Sequence, residues 1–120
     1  MTTVAKQNGA VGCVCDSQIR DVVKIVEMGF SVFCAGIRPL DSKGRGRVMA
    51  IDVPVRCGDV LVHPGDWIVA DYDGVVVVPR SVEKDAFNLA LEKVNKENLS
   101  RNDLLDGKSL REVYNKYGVL

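Results

Sequence analysis

Apolar residues fall in short clusters along the chain, and the spacing within each cluster selects the element it can form. Residues 4–8 (VAKQN) have the character of a helix end stopped by Gly9, and AVGCVCD, residues 10–16, is a continuous apolar run of strand length. Ile19, Val22, Val23 and Val26 then recur at i, i+3, i+4 and i+7. That period predicts a helix capped by Asp16 or Ser17 and closed by Gly29. FSVFCAG, residues 30–36, predicts a second short buried strand. Strand, helix and strand at this spacing form a βαβ unit, hence a locally parallel pair with a right-handed crossover.

The pattern changes after Gly36. IRPLDSKGRGR is a polar loop with glycines and basic residues, and the text that follows is almost all strand: VMAIDVPV, DVLV, WIVA and VVVVP. Between these runs lie RCGD, HPGD and DYDG, where Gly or Asp suits the special backbone angles of tight turns. Strands so closely spaced predict an antiparallel sheet or small barrel. Ser81 opens a helix with Ala86, Leu89, Ala90 and Val94 on one face, running to about Asn98. SLREVYNKYG then carries a capping box, Ser109 with Glu112 three residues on, and Gly118 as terminator. No repeat, low-complexity tract or linker interrupts the chain. The expectation is one compact α/β domain over 1–120, part parallel and part antiparallel, with helices at both ends.

Composition narrows the function. Apolar residues make up 47% and charged residues 27%, which argues against a disordered or fibrous protein. Acids and bases balance at formal net charge +0, so no polyanion or membrane-surface partner is implied. No apolar run approaches the ~18 residues of a membrane span. MTTVAKQNGA lacks the basic and apolar regions of a signal peptide. A cytoplasmic chain is expected, with no nucleic acid and no membrane among its partners. Cys13, Cys15, Cys34 and Cys57 contain no C-x-x-C, and His63 is the single histidine, so reduced cysteines serving as small hydrophobes are expected rather than a zinc site or disulfides.

Several groups could carry chemistry. Arg20 and Asp21 fall in the first turn of the predicted helix, directly after the first strand. An acid there is favoured by the backbone N–H groups and the helix dipole, so a solvated helix start accounts for Asp21. Loops at the carboxyl ends of parallel strands are also where α/β folds place ligands. An Asp there can hold a hard divalent cation, and an Arg can grip a carboxylate or enolate oxygen through its forked donors. DSKGRGR, residues 41–47, offers three cations but neither the spacing of a phosphate loop nor interleaved aromatics. It is either a surface loop or a cover for an anionic substrate. His63 before Pro-Gly and the DYDG run are explained by turns.

Taken in order, GAVGCVCDSQIRDVVKIVEMGFSVFCAGIRP, then DSKGRGRVMAIDVPVRCGDVLVHPGDWIVADYDGVVVVPR, then SLREVYNKYGVL resembles the RraA-like family over nearly the whole chain. That family includes the 4-hydroxy-4-methyl-2-oxoglutarate (4-carboxy-4-hydroxy-2-oxoadipate) aldolases and the regulator of ribonuclease E activity. The resemblance implies a β/β/α sandwich of the swivelling-domain type, assembled as a homotrimer or hexamer with active sites between subunits. It implies that Arg20 is the catalytic, substrate-binding arginine and Asp21 the ligand of a divalent metal, Mg2+ or Mn2+. Lys43 lies near an active-site lysine of some aldolases, and Glu97 near an acid contributed by a neighbouring subunit. The implied activity is a metal-dependent lyase, releasing pyruvate from a 2-oxo-4-hydroxy acid and decarboxylating oxaloacetate.

The family's glycine-rich loop, about 20 residues before the Arg-Asp pair, would fall before Met1, so the N-terminal third of a usual member is expected to be missing. The implied activity would then be impaired. Two rivals follow: a non-catalytic module that binds a protein partner as the ribonuclease regulator does, and a phosphohistidine carrier using His63.

Overall fold

The computed structural model describes residues 1–120. Two compact units divide the chain, Met1–Val77 and Val78–Leu120. The first begins with α1 (Thr2–Gln7), which Gly9 ends, and continues into β1 (Gly12–Ile19). After α2 (Val22–Glu27) comes β2 (Ser31–Ile37). β1 and β2 pair in parallel, Gly12 opposite Ser31 and Ile19 opposite Ile37, which is the βαβ unit expected. Gly29 takes φ +58, a left-handed angle that glycine adopts without steric cost, and its N–H reaches the Val26 carbonyl at 2.9 Å to close α2.

The start of α2 differs from the one its apolar period predicts. Asp16, Ser17 and Ile19 belong to β1, and neither Asp16 nor Ser17 caps the helix. The ladder shifts register between Cys15 and Gln18, then resumes as Gln18 opposite Gly36. Continued pairing with β2 holds this segment extended against its helical period. Asp16 instead anchors a neighbouring element. Its Oδ2 accepts from the Gly58 N–H at 3.0 Å and ties β1 to the following hairpin.

That hairpin is β3 (Val55–Cys57) and β4 (Val60–Val62), antiparallel, with Val55 opposite Val62. The strand predicted over VMAIDVPV is largely absent. Residues 48–54 form no strand, because Asp52 takes φ +55 and Pro54 has no N–H to give a ladder. β5 (Trp67–Ala70) and β6 (Val75–Val78) form a further pair across the DYDG turn. Asp71 Oδ1 accepts from Asp73 N–H at 2.8 Å there, so this carboxylate serves the turn. His63 likewise belongs to a turn, its N–H donating to Asp66 Oδ2 at 2.8 Å. The sheets remain two-stranded, and among residues 1–77 Phe30 alone is buried.

The second unit is helical. A 3-10 turn (Arg80–Val82) precedes α3 (Glu83–Leu105), so the helix starts two residues after Ser81 and runs past Asn98. Nothing breaks it before Asp106 and Gly107. α4 (Leu110–Tyr117) has both arms of the predicted capping box, and Gly118 ends it at φ +71. Val113 is fully buried, and the buried Ser100 hydroxyl donates to the Val119 carbonyl at 2.9 Å. The observed class is mixed α/β, with parallel and antiparallel strands and C-terminal helices.

Candidate active site

Parallel pairing sets the site. β1 and β2 end at the same level, Ile19 opposite Ile37, so Arg20 and Arg38 leave adjacent strand ends. The Arg38 N–H donates back to the Ile19 carbonyl at 2.8 Å, extending the ladder by one bond. Arg20, Asp21, Ile37, Arg38 and Pro39 line a recess of about 190 Å3 at this end of the pair. Two guanidinium groups at one small recess suit an anion with more than one oxygen.

Asp21 lies at the boundary of α2 rather than within its first turn. It adopts φ +61, ψ +34, left-handed geometry that is uncommon outside glycine and that Asp tolerates better than most residues. Its backbone carbonyl starts α2 by accepting from the Ile25 N–H at 3.2 Å, while its carboxylate is left without a bond to the helix's N–H groups. Instead Oδ2 lies 3.7 Å from Arg20 Nε, and the side chain is 69% exposed.

The loop after β2 contributes Asp41, which no sequence pattern marked as a site residue. Arg20 donates from one terminal nitrogen to Asp41 Oδ2 at 3.2 Å, while the Lys43 backbone N–H donates to Asp41 Oδ1 at 3.0 Å. The Lys43 amide, followed by the Arg20 charge, holds the Asp41 carboxyl below its usual range. Lys43 thus reaches the site through its backbone. Arg38 was legible in one respect: in a parallel pair, the residue after the second strand must neighbour the residue after the first. Asp41 gave no comparable signal, since its role depends on the loop's path.

Glu97 lies on α3 in the second unit, where its carboxylate sits 3.6 Å from Lys93 Nζ, four residues earlier. The four cysteines are unpaired. No three His, Cys, Asp or Glu side chains gather as a metal cage. A single exposed carboxylate oxygen donor nevertheless fits magnesium, which keeps several waters and takes one or two protein carboxylates. No helix is long and apolar enough to cross a membrane.

A strand–helix–strand unit with an Arg-Asp pair at its carboxyl end, followed by short hairpins, defines a class. The RraA-like family model (Aldolase/RraA) matches residues 1–77, and the chain belongs to that family. A Halalkalibacterium halodurans protein named "Putative 4-hydroxy-4-methyl-2-oxoglutarate aldolase" is 40% identical over 90 residues, 75% of this chain and 42% of its own length. An uncharacterized protein of Methanocaldococcus jannaschii is 37% identical over 111 residues, covering 92% of this chain and 53% of its own. Streptomyces coelicolor RraAS2, described as an unusual member of the RNase ES inhibitor RraA protein family, superposes with TM-score 0.73 at 38% identity. It covers 82% of this chain and 50% of its own. An uncharacterized Pseudomonas syringae protein gives TM-score 0.85 at 26% identity over 94% of this chain and 56% of its own. The chain spans about half the length of these relatives.

Proposed function

We propose that this chain carries the Arg-Asp portion of a divalent-metal-dependent 2-oxo acid lyase site. Its substrates are of the 4-hydroxy-4-methyl-2-oxoglutarate or 4-carboxy-4-hydroxy-2-oxoadipate type, with oxaloacetate decarboxylation as a companion activity. One observation carries the reading: the Asp21 carboxylate stands at the strand end, beside the Arg20 guanidinium, without capping the helix it precedes. The aldolase name carried by several relatives supports the aldol-cleavage part of this reading.

Asp21 would hold Mg2+ or Mn2+ through a carboxylate oxygen, with water completing the shell. The bound cation supplies Lewis acidity at the substrate's keto oxygen. Arg20 is aimed by Asp41 and would donate to that oxygen as charge accumulates there. In retro-aldol cleavage water takes the proton of the 4-hydroxyl, that oxygen becomes the carbonyl of the departing product as the C3–C4 bond breaks, and the bond's electrons pass to the keto oxygen to give the enolate of pyruvate. One preorganised donor at such an oxygen typically contributes ~3 kcal/mol. Arg38, at the same recess, would bind the substrate carboxylate. Water returns a proton to the enolate carbon. In a homotrimer or hexamer, Glu97 would assist proton transfer at a neighbouring subunit's site, and Lys43 would close the loop over the anion.

The test is pyruvate release from oxaloacetate and from 4-hydroxy-4-methyl-2-oxoglutarate, with and without magnesium, for the wild type and Arg20→Ala. Magnesium-dependent release lost in the variant is the expected result. Turnover retained by Arg20→Ala would overturn the site. A second reading, a protein-binding regulator, draws on the inhibitor family named for the Streptomyces neighbour. Capture of a ribonuclease E-type partner by a folded but inactive chain would favour it.

A further inference from the structure

Cysteines crowd one face of the parallel pair. Cys15 stands directly opposite Cys34 in the β1–β2 ladder, and residues paired in this way project to the same side. Cys13, two residues earlier on β1, shares that side by strand alternation. Both paired thiols lean along the strand direction. Cys15 donates to the Ser17 carbonyl at 3.8 Å and Cys34 to the Gly36 carbonyl at 3.4 Å, each two residues on. With the same tilt on adjacent strands, the two sulfurs keep a separation close to that of the strands, about 4.8 Å. The ladder shifts register directly after Cys15, a local break of the kind that re-aims side chains next to sites. Burial first, then the Cys15 thiol, and after it Cys34 and Cys57, raise the Cys13 thiol above its usual value. Packing alone does not require this crowding, since valine or alanine would fill the same face.

We propose that Cys15 and Cys34 form a two-thiolate site for a soft cation of the cuprous class, bound between β1 and β2. Ligand chemistry selects the ion, because thiolates favour Cu(I) over the hard cations that oxygen donors hold. Separation selects the mode. A disulfide needs its Cβ atoms at about 3.8 Å and its sulfurs at about 2.0 Å, so the paired strands would have to draw together. Two thiolate–metal bonds of about 2.3 Å set in line span about 4.6 Å, close to the strand spacing of about 4.8 Å. Zinc is poorly served, since a closed zinc site takes four protein ligands and no three such side chains gather in this chain. Binding is a proton exchange. Each thiol releases its proton to solvent as its sulfur bonds the ion, and no electron is transferred. Both cysteines are half-buried and unpaired, which leaves an ion access to them. The inference is independent of the chemistry assigned to Arg20 and Asp21, whose carboxylate oxygen suits magnesium.

The experiment uses the full chain, reduced and free of oxygen, with Cu(I) supplied from a bicinchoninate complex. Iodoacetamide alkylation followed by fragment-ion mapping reads each thiol separately. One equivalent of Cu(I) should slow labelling of Cys15 and Cys34 roughly tenfold or more, because a metal-bound thiolate is not free to attack, and should leave Cys57 unchanged. Equimolar Zn2+ should protect neither cysteine of the pair. X-ray absorption at the copper edge should show sulfur neighbours and no nitrogen. Cys15→Ser and Cys34→Ser should each lose copper transfer from the chelator, whereas Cys57→Ser keeps it. Equal protection of all four thiols, equal protection by Zn2+, or no transfer from the chelator would overturn the proposal. So would retention of copper by both Cys15→Ser and Cys34→Ser. Ready formation of a Cys15–Cys34 disulfide in dilute hydrogen peroxide would also overturn it, since the sulfurs would then lie closer than the bridging ion requires. The wild-type labelling pattern decides without any variant having to fold.

Discussion

The Asp41 carboxylate holds the Arg20 guanidinium at 3.2 Å, joining the loop after β2 to the end of β1. The second oxygen of Asp41 is engaged by the Lys43 amide at 3.0 Å, so the carboxylate cannot turn away without losing a bond. Arg20 is therefore aimed by a neighbour rather than left to sample solvent. Asp41→Asn removes the charge but keeps the shape. The expected outcome is a fall of roughly 10- to 100-fold in kcat for magnesium-dependent pyruvate release, the cost of a misdirected donor. The midpoint of thermal unfolding should hardly move, since these groups are exposed. Arg20→Lys should not restore the rate, because an ammonium lacks the forked geometry. Unchanged kcat in Asp41→Asn would separate Asp41 from the site.

Asp16 offers a test of how the hairpin is attached. Its bond to the Gly58 N–H joins residues 42 apart in sequence, in a unit with little buried surface. Asp16→Ala is expected to lower unfolding stability by about 1 kcal/mol, the usual net value of one such hydrogen bond. Urea denaturation followed by circular dichroism reads the difference, and Asp16→Asn should recover part of it through its amide oxygen.

Sequence pattern foretold the βαβ unit from the order and spacing of its apolar runs, and the α4 capping box and the turn character of HPGD and DYDG because each of these is decided by neighbours within a few residues. It failed where distant partners intervened. Ile19 fits a helical period, yet pairing with Ile37 on β2 keeps it extended. A second failure was local: VMAIDVPV has strand composition, yet Asp52 at φ +55 and Pro54, both inside the run, interrupt a ladder. At the candidate site, Arg20 and Asp21 were visible as adjacent charges after a strand. That the Asp21 carboxylate makes no bond to α2, and that Asp41 reaches Arg20, depend on backbone angles and a loop path that composition does not encode.

Acid should loosen the helical unit through one carboxylate. Asp103 on α3 accepts from Lys108 Nζ at 2.7 Å, from Lys116 Nζ at 3.0 Å and from the Tyr117 hydroxyl at 3.0 Å. The Lys108 bond first, then those of Lys116 and Tyr117, lowers its pKa from 3.8 to about 2. A carboxylate depressed on folding adds stability above its unfolded pKa and loses that contribution as pH falls through the folded value. The contacts should therefore be complete above about pH 4 and lost progressively toward pH 2. Carbon-13 NMR of the Asp103 carboxyl should titrate near 2 in the wild type. Asp103→Asn should lose this part of the acid dependence of α4 packing. A titration midpoint at or above 3.8 would contradict the network.

The α4 capping box gives the sharpest stability prediction, since both of its arms are formed. The Ser109 hydroxyl accepts from the Glu112 N–H at 3.3 Å, and Glu112 Oε2 accepts from the Ser109 N–H at 3.0 Å. Ser109→Ala leaves the Glu112 amide without its side-chain acceptor and should cost about 1 kcal/mol. Ser109→Asp, which also caps helices well, should retain most of the stability. Val113 lies in the first turns of α4 and is fully buried, so fraying that begins at residue 109 exposes the one apolar side chain this unit fully encloses. Hydrogen exchange at Val113 and Tyr114 should accordingly rise in Ser109→Ala by about fivefold, as that energy implies for a local opening. An unchanged exchange rate with reduced global stability would place the effect of Ser109 in the unfolded chain instead.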